Sequence, residues 1–92
     1  MTAVILPTDL APWDGHCLEL VDMLLHDHPT GDILWIDTPA DCRWTYHTAM
    51  VLDGLVYDAW HPSVRLPPAE YVARVFGPDA TWELNPGQDD EP

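Results

Sequence analysis

Three side chains of this 92-residue chain can do covalent chemistry together: the Cys17 thiol, the His47 imidazole and the Asp58 carboxylate. A thiol is a nucleophile only as its thiolate. The first turn of a helix favours that form, because unpaired backbone N–H groups and the helix dipole stabilise negative charge there. An imidazole that takes the thiol proton, and is itself oriented by a carboxylate, completes the activation. Such a thiolate attacks an amide or ester carbonyl to give an acyl-thioester, which water or an amine then resolves. Taken alone, Cys17 reads better as a small apolar residue on a packing face. The chain order of a helix-opening Cys, a strand-borne His and an Asp on the next strand favours the chemical reading.

The elements that must position these groups are legible in outline. Trp44–Leu52 and Leu55–Trp60 are two runs rich in β-branched and aromatic residues around Asp53-Gly54, a dipeptide suited to a type I′ turn. A two-residue loop sets Leu52 opposite Leu55, Ala49 opposite Asp58 and His47 opposite Trp60. Period-two alternation then puts His47, Ala49, Val51, Val56, Asp58 and Trp60 on one face, with His47 and Asp58 as diagonal neighbours. Tyr46, Thr48, Met50, Leu52, Leu55 and Tyr57 take the other face, which suits packing under a helix.

Upstream, Cys17, Leu20, Val21, Leu24 and Leu25 recur at helical spacing and form one apolar face of a helix from His16 to about His26. Asp14 is the expected N-cap, and Pro29 and Gly31 end the element. This helix is the expected cover for the His47 face. Thr2–Leu6 reads as an edge strand or an irregular arm. Ile33–Ile36 is a short buried strand. A second helix opens at 66–70 with Val72, Val75 and Phe76 as its stripe, and Ala80–Leu84 is a candidate last strand. The expected architecture is α+β: an N-terminal helix packed on a small antiparallel sheet with a central β-hairpin, and a second short helix. Residues 1–85 form one domain and 86–92 an acidic flexible tail.

On Gly15-His16-Cys17-Leu18-Glu19-Leu20, Trp44-Thr45-Tyr46-His47-Thr48-Ala49-Met50 and Asp53-Gly54-Leu55-Val56-Tyr57-Asp58-Ala59-Trp60, the chain resembles the minimal core of papain-like and transglutaminase-like cysteine enzymes. The resemblance runs from about Asp14 to Trp60, with the second helix as an appendage. It implies Cys17 as nucleophile, His47 as general base and acid, and Asp58 as the group that orients the imidazole. It also implies hydrolysis, deamidation or transamidation of an amide, with no cofactor. Members often carry a side-chain oxyanion donor upstream of the Cys. No Gln or Asn precedes Cys17, which leaves its backbone N–H, with Trp13 or His16 as substitutes. Trp60, opposite His47, is the expected wall of the cleft.

Composition narrows the remaining classes. The net charge is −13, with three arginines and no lysine. Such a surface repels nucleic-acid backbones and anionic membranes, and it suits a protein or peptide partner, above all a basic one. No apolar run is long enough to span a bilayer, and Asp9 and two prolines interrupt any leader-like segment, so a cytoplasmic location is expected. Cys17 and Cys42 are then free thiols. The His and Cys positions lack paired metal-ligand spacing, and no metal is expected. A domain this small has few loops for building a cleft, so a partner or a second copy is expected to complete it. The competing expectation is a non-catalytic acidic interaction module on the same fold, an inhibitor or a nucleic-acid mimic.

Overall fold

A computed structural model describes residues 3–38 and 46–86. Cys42, Trp44 and nearly all of the acidic tail lie outside the described residues. Among the described residues two α-helices and four strands form an α+β domain: α1 (Cys17–Asp27), β1 (Asp32–Asp37), β2 (Tyr46–Leu52), β3 (Leu55–Tyr57), α2 (Pro68–Val75) and β4 (Thr81–Leu84). The sheet is antiparallel in the order β3-β2-β1-β4.

The hairpin turn forms as its sequence requires. Asp53 and Gly54 both take positive φ, at 54° and 82°, and Leu52 pairs with Leu55. The ladder continues only to Met50 opposite Tyr57. The expected pairs Ala49–Asp58 and His47–Trp60 do not form, because the chain leaves the sheet at Asp58. Its carboxylate Oδ1 accepts the Trp60 backbone N–H at 3.0 Å, and its carbonyl accepts the His61 N–H at 3.0 Å. A side chain that captures its own downstream backbone offers the chain a turn in place of a strand.

Each face of the sheet is covered by one helix, and the assignment differs from expectation. Helix α1 packs Leu20, Val21 and Leu24 on the face that carries Met50, with Ile33, Leu52 and Tyr57 alongside. The His47 face is covered by α2: Tyr71 and Val72 close over Leu34, Ile36, Ala49, Val51 and Val56. On the His47 face, Tyr71 of α2 brings its hydroxyl to the buried Asp58 carboxylate. The stretch at 64–66 runs beside β3, with the Val56 N–H donating to the Leu66 carbonyl at 2.9 Å and Arg65 Nη1 donating to the Val56 carbonyl at 2.8 Å. This pairing covers an otherwise open edge.

The remaining differences are local. The N-cap of α1 is His16, without a side-chain capping bond, whereas Asp14 closes a short 3-10 turn at Ala11–Trp13. Gly15, at φ 78°, sits between them. In that left-handed conformation it redirects the chain, so the helix starts at Cys17 rather than continuing from Asp14. The arm at residues 3–6 forms no strand, but Val4 and Leu6 still pack against the α1 cluster. No helix among the described residues is long and apolar enough to cross a membrane.

Candidate active site

The site forms where β3 ends. With β3 stopping at Tyr57, the part of β2 that begins at Thr48 and runs back toward Tyr46 has no partner on that side. In an antiparallel ladder, alternate residues point their backbone groups to the same neighbour. Leu52 and Met50 face β3, so Thr48 faces the gap beyond it. The first residue of α1 fills that gap, and Cys17 reaches the His47 imidazole across the strand edge. The thiol and the imidazole come close enough for each to shift the other's proton affinity, although Cys17 opens the helix that covers the face opposite His47.

His47 is buried, at 1% exposure. Its Nε2 lies 2.8 Å from Asp58 Oδ2, which leaves Nδ1 for the thiol. Trp60 meets the ring edge-on at 5.4 Å between centroids, and Phe76 lies against it at 5.7 Å. The imidazole is therefore held by a carboxylate on one side and by aromatic walls around it.

Asp58 is as deeply buried as His47. Besides His47 and the Trp60 N–H, its carboxylate accepts from the Tyr71 hydroxyl, and His61 Nδ1 lies 3.3 Å from Oδ2. A buried carboxylate stays ionised only when hydrogen-bond donors replace its lost hydration. Burial pushes its pKa up, but the bonds from His47, His61 and Tyr71 and the His47 charge outweigh this, holding it well below the usual carboxylate range. The Tyr71 hydroxyl is correspondingly held protonated by burial and by the Asp58 charge beside it.

The same balance acts on the catalytic candidates. Burial alone lowers the His47 pKa, yet the contacts with Asp58 and Cys17 overcome it and raise it to about 9. For Cys17, half-buried, burial raises the thiol pKa. Hydrogen bonds from His47 and from the Thr48 side chain and backbone, with the His47 charge, overcome that and bring it below its ordinary value of 9.0. Both shifts favour the thiolate–imidazolium pair, the form that attacks a carbonyl.

Not every residue singled out in the sequence joins this cluster. Cys17, His47, Asp58 and Trp60 come together. Trp13 packs into the α1 cluster. His16 is exposed and turns its Nδ1 to Glu19 Oε2 at 3.1 Å, so it faces its own helix. The Glu19 carboxyl is lowered by this bond. Two groups in the cluster escaped the sequence reading. Tyr71 lies outside the stripe of Val72, Val75 and Phe76 read for α2, and His61 reads only as part of the turn after the hairpin; helical spacing does not say what a side chain beside the stripe will meet. Among the described residues no cluster of three or more His, Cys, Asp or Glu is placed to hold a metal ion. No family model, no curated protein and no solved structure matches the chain.

Proposed function

We propose that this chain is a cysteine-dependent hydrolase or acyl transferase acting on an amide bond, with Cys17 as nucleophile, His47 as general base and acid, and Asp58 as the orienting carboxylate. The observation that carries the reading is the engagement of His47 by two groups: a 2.8 Å contact from Nε2 to a buried carboxylate, and a helix-opening cysteine whose thiol pKa the imidazole lowers. Asp58 keeps Nε2 protonated, so the imidazole accepts the thiol proton at Nδ1. The thiolate adds to the substrate carbonyl. The imidazolium then protonates the departing amine, and the acyl-thioester passes to water or to an acceptor amine. The Cys17 backbone N–H at the start of α1 is available to the oxyanion.

Site-resolved labelling tests this reading. Iodoacetamide is expected to alkylate Cys17 roughly tenfold or more faster than Cys42 near neutral pH, and His47→Ala is expected to remove the difference. Equal, slow labelling of the two thiols in the wild-type protein would overturn the assignment. The net charge of −13 favours a basic protein or peptide as the substrate or partner. It is also the observation that supports the second reading, a non-catalytic acidic module on this fold, for which the labelling contrast would be absent.

A further inference from the structure

The sequence lacks the side-chain donor that enzymes of this kind often carry upstream of the cysteine, and the fold brings a different donor to the sulfur. We propose that Thr48 is a further catalytic residue of this site: its hydroxyl and its backbone N–H together donate to the Cys17 sulfur and hold it as the thiolate. The inference rests on the cysteine-enzyme reading and adds the group that stabilises its nucleophile.

Three independent features lead to Thr48. Its backbone N–H points to the side of β2 where β3 has already ended, so the sheet does not use it, and α1 packs against β2 at that place. Its side chain is 1% exposed, and Oγ1 has no hydrogen-bond partner of good geometry among the described residues. A buried hydroxyl without a partner costs stability, and in a native fold such a group asks for a reason. The third feature is the neighbour. Cys17 shares the α1 stripe of Leu20, Val21 and Leu24, which packs on the β2 face of Met50, and Thr48 is the next residue of that face toward the start of β2. Thr48 is also among the groups that lower the thiol pKa. A neutral thiol is a weak acceptor, whereas a thiolate is a strong one. The hydroxyl therefore gains its bond when the proton moves from Cys17 to His47, and this gain adds to the driving force for that transfer.

Thr48 also lies next in sequence to the base. Adjacent strand residues point to opposite faces, so His47 and Thr48 do not ordinarily share a target. They share one here because the sulfur sits at the open edge of β2, within reach of one side chain from each face.

The test is the pH profile of Cys17 alkylation by iodoacetamide, read by mass spectrometry of the labelled peptide so that Cys42 is scored separately. Thr48→Val keeps the shape and the backbone N–H and removes only the hydroxyl. The alkylation midpoint is expected to move to higher pH, with rates below the midpoint falling roughly tenfold. Thr48→Ser is expected to stay within about twofold of the wild type. Thermal melting followed by circular dichroism shows whether each variant is folded, and Thr48→Ala makes the same deletion should valine not be accommodated. A folded valine or alanine variant that labels at the wild-type rate across the profile would overturn the role of Thr48 alone. An orphan hydroxyl with no role predicts that outcome together with unchanged or raised stability. A wild-type Cys17 with an ordinary, unshifted profile would instead overturn the cysteine-enzyme reading, and this inference with it.

Discussion

The two faces of the sheet are covered by one helix each, yet they are built differently. The α1 face buries Leu20, Val21, Leu24, Met50 and Ala59, with Thr48 as the buried polar residue on its side of β2. The α2 face buries comparable apolar residues but also encloses His47, Asp58 and the Tyr71 hydroxyl. The first face is held by hydrophobic contact, which is tolerant of direction. The second depends on a carboxylate whose charge is balanced by donors in fixed positions, and removing one member leaves the others buried without partners. The candidate nucleophile belongs to the helix of the apolar face and its base to the other. They meet only at the edge of β2, so the fold separates the element that supplies the thiol from the network that activates it.

That division can be tested by damaging each face in turn. Asp58→Ala is expected to have the largest effect, a loss of about 3–5 kcal/mol in urea denaturation, because it strands a buried imidazolium and a buried tyrosine hydroxyl. It should abolish the selective labelling of Cys17 as well. Leu24→Ala, on the apolar face, is expected to cost about 3 kcal/mol through the cavity it leaves, with the pH profile of Cys17 alkylation unchanged in the folded fraction. A Leu24→Ala protein that stays folded but loses the profile would show that the faces are not separable.

A smaller effect is expected from pH, and its sign follows from the two shifts. His47 is raised from 6.5 to about 9, so its contribution to stability is complete below about pH 6.5 and is lost as pH rises through about 9. Cys17 is lowered from 9.0 and works in the opposite sense, its contribution being complete above that value and lost as pH falls through the folded pKa. In the wild type the two oppose each other between the ordinary histidine pKa and about pH 9, so its urea midpoint should change less with pH there than that of a variant lacking the thiol. Cys17→Ala leaves His47 with Asp58 alone, and its urea midpoint should decline with rising pH above the ordinary histidine pKa. A Cys17→Ala curve no steeper than the wild type's would show that Asp58 does not raise His47.

Much of the fold is legible in local pattern. Asp53-Gly54 specifies its turn because the turn needs positive φ at both positions. The spacing from Cys17 to Leu25 specifies a helix because those residues fall on one stripe. Leu34 and Ile36 alternate inward as a strand with one fully buried face does. The expectation that α1 covers the His47 face fails for a physical reason. A strand with apolar residues on both faces does not say which helix goes where, since burial has no direction of its own.

For the candidate site, the sequence alone determined which residue types are present, their order, and the alternation that puts His47 and Val56 on one face of the hairpin. Those properties are local, set by backbone geometry over a few residues. Only the tertiary structure decided that β3 stops at Tyr57 because Asp58 captures the backbone after it, that the gap so opened admits the start of α1, and that Tyr71 closes over the carboxylate from a helix the resemblance treated as an appendage. The approach of Cys17 to His47 joins residues far apart in the chain. Such a contact depends on where two elements end relative to each other in space, and no periodicity within either element encodes that distance.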